Sequence, residues 1–319
     1  MNQTDFWDPI PPRASPRRAK EIRAEAQRAL KGNWVMGSVI TFLYQLFTGL
    51  SVAVGMIPMY IFGFFIVLHS EELESAVSPG AILLLFFAAF LLCFLGLFLV
   101  GAPLTLGYFK MHLDLVDGKA PALKDLFHFF KIGYRKAVGA YALYYGVCCL
   151  SILPALGGAI LAVLLQGPPG EVQATVVPAV DVSAFIMLAG ILGSAVLSVV
   201  LSLRYSMVFF LLTDEPTMTV LDAFRNSRAL MKGNLWRLLC LSFSFLGWYL
   251  LLILAHFVTC GTGSMIGAFP LQLYAMTSTA VFYAEISHRP LPPSDEPWDA
   301  TPSDFLPPSE ENEPQYKGE

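Results

Sequence analysis

Side chains capable of chemistry are few in this sequence, and the most suggestive pair is a histidine and a serine. His256 precedes Ser264, which ends a Gly-Thr-Gly-Ser run at residues 261–264. A serine can act as a nucleophile when a base lies within hydrogen-bond reach. Glycine-rich runs are more typical of turns, and no credible acid, metal or second nucleophile accompanies the pair. We therefore predict that the protein is not an enzyme.

Metal and cofactor sites are not indicated either. The other four histidines lack metal-ligand spacing and are expected at the membrane interface or in solvent: His69, His112, His128 and His288. The five cysteines form no CxxC pair and mostly lie in apolar runs, where cysteine acts as a small hydrophobic residue. We expect no cofactor and no bound metal.

The best polar feature within an apolar segment is a stripe of small residues at four-residue intervals. It comprises Gly190, Ser194, Ser198, Ser202 and Ser206. Such a stripe lets a second helix approach closely, so it predicts a packing seam. The alternative is the wall of a path for a solute or water. Further polar residues could join the stripe or form hydrogen bonds between other helices: Tyr44, Gln45, Thr277, Ser278 and Thr279.

The composition is that of a membrane protein. Of 319 residues, 55% are hydrophobic and 14% are charged, whereas about 25% of a typical soluble chain is charged. The mean hydropathy is +0.61. These values argue strongly against a water-soluble enzyme. The first 33 residues are polar, so we expect no cleavable signal peptide.

Six apolar segments are long enough to cross a bilayer, which takes about 20 residues. We predict spans at about 35–68, 80–109, 138–166, 183–212, 238–259 and 268–287. The last two are separated by a turn formed among Gly261, Gly263, Gly267 and Pro270. The predicted fold class is all-α: a polytopic membrane protein with six transmembrane helices in three hairpins.

Lysine and arginine lie on only one side of these spans. All 20 occur in the N-terminal segment, in the connections between spans two and three and between spans four and five, and in the C-terminal tail. Cytoplasmic loops are rich in these residues, so both termini are predicted to be cytoplasmic. This basic inner face is expected to attract anionic lipid headgroups rather than nucleic acid. The apolar stretches behind these spans run without a charged residue as far as Leu203 in the fourth span and Ala284 in the last. No charge therefore lies in a span interior, which argues against a proton-coupled pump.

Each hairpin is preceded by a cytoplasmic segment with the pattern of an amphipathic helix. The segments begin near Pro16, Pro121 and Pro216. Their apolar faces are Ile22, Ala26, Ala29 and Leu30 in the first; Leu123, Leu126, Phe127 and Phe130 in the second; and Val220, Phe224 and Met231 in the third. Helices of this kind typically lie at the headgroup level of a membrane.

A short basic sequence ends the first and third of these segments. Residues 28–34 and 228–236 share Arg-Ala-Leu, Lys-Gly-Asn and Trp, and residues 131–134 are a weaker version. Gly-Asn favours a left-handed helix end, and an aromatic residue favours the interface. The pattern predicts an internal repeat of amphipathic helix, glycine turn and hairpin. The alternative is convergence wherever a chain enters a bilayer.

Several short motifs occur in order along the chain. They are Gly32-Asn33-Trp34, Pro103 with Gly107-Tyr108, Tyr205-Ser206-Met207, Asp214-Glu215-Pro216, Lys232-Gly233-Asn234 with Trp236, Leu246-Gly247-Trp248, and Ala280-Val281-Phe282-Tyr283. Together they resemble the bacterial integral membrane family catalogued as domain of unknown function 975, over roughly residues 16–287. The resemblance implies a polytopic protein of the bacterial plasma membrane, with no assigned activity.

The two ends of the chain differ in composition from the membrane domain at 16–287. Residues 1–15 and 288–319 are predicted to be disordered. The C-terminal tail is rich in proline and acidic residues and cannot bury enough apolar surface to order itself. Its isolated aromatic residues, Trp298 and Phe305, could dock to a partner protein.

These features favour a non-enzymatic scaffold or regulator of the bacterial cytoplasmic membrane that binds lipids or partner proteins. The alternative is a transporter or channel for a neutral or lipidic solute, which the predicted repeat and the serine stripe favour.

Overall fold

The computed structural model describes residues 17–68, 97–166, 182–259 and 262–289, with four isolated positions between 84 and 91. Regular structure in these four ranges is entirely helical. The all-α prediction is therefore confirmed for the described part of the chain. The predicted disordered segment at 1–15 lies outside the described residues, as does the predicted tail from residue 290 onward.

The helices are, in chain order, α1 (Ala19–Ala29), α2 (Trp34–Leu68), α3 (Ala102–Val116), α4 (Leu123–Leu126), α5 (His128–Lys131), α6 (Tyr134–Cys149), α7 (Leu153–Gln166), α8 (Val182–Arg204), α9 (Val208–Asp214), α10 (Val220–Leu230), α11 (Leu235–Phe243), α12 (Leu246–Val258) and α13 (Thr262–Ile286). A π-helical turn leads into α3, and a 3-10 turn joins α6 to α7.

Five helical stretches in the described ranges are long and apolar enough to cross a membrane. They are Trp34–Ile57, Tyr134–Leu164, Val182–Asp214, Leu235–Val258 and Thr262–Ile286. They correspond to predicted spans one and three to six, and they indicate a multi-pass membrane protein. The first part of the second predicted span, 80–109, lies largely outside the described residues, which resume at Leu97.

The turn between the last two spans is shorter than predicted. α12 ends at Val258 and α13 begins at Thr262, so Gly267 and Pro270 lie within α13 and the prediction that they form the turn is wrong. A Cβ at Gly267 would lie 2.6 Å from the Cδ2 of Leu252 on α12. The lack of a side chain at Gly267 therefore allows close contact between α12 and α13.

Buried side chains are concentrated in α3, α9 and α13 and in the helices that contact them, α1 and α10. In contrast, α2, α7, α8 and α12 leave many large apolar side chains exposed. On membrane-crossing helices such surfaces face lipid. The well-packed core is therefore made by α3, α9 and α13 with the amphipathic segments around them.

The apolar face predicted for the first amphipathic segment is present, and protein covers it. Ile22, Ala26, Ala29 and Leu30 are each no more than 2% exposed, and α1 contacts α13. In the third segment, Phe224 and Met231 are buried as well. These two segments therefore contribute to the protein core.

The second amphipathic segment differs from its prediction. Two four-residue helices, α4 and α5, replace a single helix and are separated by Phe127. Leu126 and Phe129 are buried, whereas Leu123, Phe127 and Phe130 remain more than one-third exposed. The backbone of Phe127 (φ −97°, ψ 2°) is in the bridge region, which ends the first helix and redirects the second.

Candidate functional site

Three turns that contain a left-handed glycine precede α2, α6 and α11; in the second, Ile132 before the glycine is extended and Lys131 is the last residue of α5. Gly32, Gly133 and Gly233 have φ angles of +83°, +82° and +86°. Glycine adopts this left-handed region at no steric cost. A Cβ at Gly32 or Gly233 would meet no atom within 4 Å. The backbone angle, rather than a lack of space, is what requires glycine at these two positions.

Each glycine turn presents a lysine and an aromatic residue. Lys31, Lys131 and Lys232 are exposed, and within the described part of the chain none of them has an acidic partner. The aromatic residues are Trp34, Tyr134 and Trp236, the last of which is 70% exposed. Cations beside aromatic residues are typical of chains at the lipid headgroup level. We call these three sites the lysine–glycine turns.

The motif residues on α3 have a structural role. Pro103 lies in the first turn of the helix, where its missing N–H costs nothing. A Cβ at Gly107 would lie 2.3 Å from the Leu126 carbonyl oxygen, so only glycine lets α3 pack on α4. Tyr108 is 1% exposed, and its ring stacks on Tyr44 with centroids 4.2 Å apart.

The family model that matches this chain is described as Protein of unknown function (DUF975), and it covers residues 17–290. The chain belongs to this family. The match confirms the resemblance noted from the motifs, and it includes all three lysine–glycine turns and the α3 motif. No curated protein and no solved structure matches the chain.

In this DUF975 chain, several polar side chains of α2, α3 and α13 form hydrogen bonds between helices. The hydroxyls of Tyr44 and Thr105 are 3.3 Å apart, and the Gln45 amide donates to the side-chain oxygen of Gln272. His112 Nδ1 lies 3.0 Å from the Thr277 hydroxyl. Ser278 and Thr279 instead donate to carbonyls of their own helix. The polar side chains of Tyr44, Gln45 and Thr277 are thus used in hydrogen bonds between helices.

His112 is fully buried, so the prediction that it is solvated is wrong. It lies on α3 beyond the end of the second predicted span, and its Nε2 is buried without a hydrogen-bond partner among the described residues. Burial lowers the pKa of His112 to about 3 from its usual 6.5. The fold therefore holds a neutral histidine.

Because His112 is neutral in the folded protein, we expect the folded state to become less stable at acidic pH. The unfolded chain binds a proton below pH 6.5, whereas the folded chain does not until pH falls toward 3. The free energy of unfolding should therefore decrease as pH falls through this window, by about 2 kcal/mol at pH 5. Thermal unfolding of detergent-solubilised protein between pH 5 and 7 measures it. His112→Gln should flatten the slope and His128→Gln should not; equal slopes in all three proteins would contradict the prediction.

Ion pairs hold the C-terminal end of α13. The Glu285 carboxylate accepts from Arg237 Nη2 at 2.6 Å and from the Arg17 backbone N–H at 3.1 Å. The Arg237 guanidinium also lies 5.4 Å from the Phe282 ring centroid. The Glu285 side chain is only 8% exposed, so this is a nearly buried ion pair that joins α1, α11 and α13.

A second set of ion pairs forms just beyond α13. Arg289 Nη2 is 2.6 Å from Asp117, and its Nη1 bonds to Asp214. The Tyr283 hydroxyl donates to Asp214 at 2.9 Å. The described structure therefore includes His288 and Arg289, which were predicted to belong to the disordered tail. Sequence reasoning missed both ion-pair sets; the available signal was the placement of single charges directly at the ends of apolar runs.

The residues of the serine stripe lie in different environments. A Cβ at Gly190 would lie 2.7 Å from the Pro154 carbonyl oxygen on α7, and the Ala155 N–H donates to Ser194 Oγ at 2.9 Å. Ser198 is exposed. Ser202 and Ser206 donate to carbonyls three residues earlier. The first two positions thus contact α7; the packing and solute-path interpretations of the whole stripe both stay predictions.

The chain does bring His256 and Ser264 together. His256 Nδ1 lies 2.8 Å from Ser264 Oγ, across the turn between α12 and α13. The Thr259 hydroxyl accepts from the Gly263 N–H at 2.7 Å, which caps the first turn of α13. Within the described residues, no three histidine, cysteine or acidic side chains form a group that could hold a metal.

Proposed function

We propose that this DUF975 protein is a non-enzymatic scaffold or regulator of the bacterial cytoplasmic membrane that binds anionic lipids at its cytoplasmic face. Both termini lie in the cytoplasm, and the lysine–glycine turns contact the lipid headgroups. The observation that carries the proposal is the threefold recurrence of an exposed lysine, with no acidic partner among the described residues, at a left-handed glycine turn that directly precedes a candidate span.

The physical basis is electrostatic attraction at the membrane surface. A lysine near an anionic surface contributes about 1 kcal/mol of binding. A lysine already paired with a carboxylate would contribute less, because its partner offsets its charge. Lys31, Lys131 and Lys232 have no such partner in the described part of the chain, and the left-handed turns place them next to the start of a candidate span. The same recurrence supports the proposed internal repeat.

The test compares the lipids that co-purify with two triple variants. Lys31→Gln, Lys131→Gln and Lys232→Gln together remove the proposed headgroup contacts. Lys20→Gln, Lys124→Gln and Arg225→Gln form the matched control, because they remove the same charge from exposed sites outside the turns.

We expect the turn variant to lose anionic-lipid enrichment by about fivefold per lysine, as 1 kcal/mol implies, and the control to lose much less. Mass spectrometry of protein released from membranes in a mild detergent, with phosphatidylglycerol compared against phosphatidylcholine, measures this ratio. Equal losses in both variants would mean that only total charge matters and that the turns are not binding sites.

A further inference from the structure

An open apolar groove of about 620 Å³ runs between α2 and α13. Its walls include Trp34, Val39 and Phe42 on α2 and Ile266, Phe269 and Pro270 on α13. This volume is within the range of small-molecule sites, which is about 300–1,000 Å³. The wall side chains other than Ser38 are apolar, so the part of an occupant that fills the groove is hydrocarbon.

Tight contacts define one side of the groove. A Cβ at Gly37 would lie 2.8 Å from the Leu273 Cδ2, so the two helices meet directly there. The rings of Phe42 and Phe269 meet edge to face with centroids 5.1 Å apart. Both helices belong to candidate spans, so the groove opens toward the lipid phase.

On the two helices that form the groove, α2 and α13, charged residues lie only beyond the end that contains Trp34. Trp34 directly follows the first lysine–glycine turn, where Lys31 is exposed and unpaired within the described chain. On α13, residues 262–284 contain no charged residue. From Trp34 to Phe42 the groove follows about 12 Å of α2 at 1.5 Å per residue. An occupant with one anionic end and one hydrocarbon end matches this arrangement, whereas a partner helix would need no cation at one end.

We propose that the groove binds one anionic phospholipid, with its phosphate at Lys31 and one acyl chain between α2 and α13. This inference rests on the proposed function and deepens it, because it gives the first lysine–glycine turn a complete lipid site. Trp34 lies between the two parts of the ligand, at the level where indole side chains favour the membrane interface.

The experiment uses full-length protein in phosphatidylcholine vesicles that contain a phosphatidylglycerol with a diazirine on one acyl chain. After illumination, mass spectrometry locates the labelled peptides. We expect labels on the α2 and α13 segments that line the groove and competition by unlabelled phosphatidylglycerol. Val39→Trp should abolish this labelling, and Ile266→Trp, which fills the groove from the opposite wall, should do the same.

Two controls separate the groove from general lipid contact. Val196→Trp changes an equally apolar, 66% exposed site on α8 and should leave the groove labels unchanged. Lys31→Gln should lower the labelling by the phosphatidylglycerol probe relative to a matched phosphatidylcholine probe about fivefold, and Arg225→Gln should not.

The outcomes distinguish the groove from the proposed function. If labels spread evenly over the lipid-facing helices while the triple lysine variant still loses anionic lipid, the groove assignment is overturned and the proposed function stands. If both probes label the groove equally, the anionic occupant is overturned. Cross-links to a second copy of the chain at these residues would identify the groove as a protein interface instead.

Discussion

Gly107→Ala is expected to destabilise the protein by about 3 kcal/mol or more, a large effect for the addition of one methyl group. The new Cβ would lie 2.3 Å from the Leu126 carbonyl oxygen and 2.7 Å from that of Asp125. Both atoms belong to the backbone, so no side-chain rotation relieves the overlap, and α3 must move away from α4. Overpacking a tight core costs typically 1–3 kcal/mol and occasionally more. We expect a cost at the upper end of this range, because the overlapping atoms belong to the backbone and cannot rotate away.

The measurement is the midpoint of thermal unfolding of detergent-solubilised protein, which should fall by on the order of 10 °C. Gly146→Ala is the matched control, because Gly146 lies within α6 and a Cβ there would meet no atom within 4 Å. Replacing an unobstructed helical glycine by alanine stabilises by roughly 0.5–1 kcal/mol. A Gly107→Ala midpoint equal to that of the wild type would contradict the close contact between α3 and α4.

Arg237→Met is expected to cost about 3–5 kcal/mol, because it leaves a nearly buried carboxylate without its cation. The Glu285 side chain is 8% exposed, and Arg237 donates to it at 2.6 Å. The Arg17 backbone N–H would be the remaining donor to Glu285 among the described residues. Docking of α1 and α11 on the end of α13 would weaken as a result.

The double variant Arg237→Met, Glu285→Gln tests this cause. A neutral glutamine still accepts the Arg17 N–H and leaves no unpaired charge, so most of the lost stability should return. Arg225→Met is the control: its pair with Asp222 is largely exposed and is worth about 0–1 kcal/mol. If the double variant is no more stable than Arg237→Met alone, lost packing against Phe282 rather than the unpaired charge explains the defect.

Local properties of the chain determined much of what the sequence predicted correctly. Apolar runs place five candidate spans close to their predicted positions, because desolvation of the backbone forces such runs into helices. The buried face of α1 follows from helical periodicity. The left-handed conformation at Gly32 and Gly233 was indicated by Gly-Asn pairs at helix ends, where the allowed backbone angles depend on the residue itself.

The tertiary structure decided which faces meet, because that depends on residues far apart in sequence. His112 has the spacing of an ordinary interfacial residue, yet α3 is enclosed by α2, α9 and α13 and the side chain is buried. The close contact of Gly107 was likewise not predictable, because the spacing of residues along the sequence does not show that the Leu126 carbonyl lies against it. The α4–α5 segment departed from its predicted single helix at Phe127, where the backbone leaves the helical region.

The candidate lipid site combines both kinds of information. Lys31, Gly32 and Trp34 could be singled out from the sequence, since charge, backbone preference and aromatic character are properties of the residues themselves. The groove beside them could not, because it exists only where Gly37 and Leu273 bring α2 and α13 into contact. The sequence thus determined where the proposed headgroup contact lies, and only long-range packing between the first and last candidate spans created the apolar groove beside it.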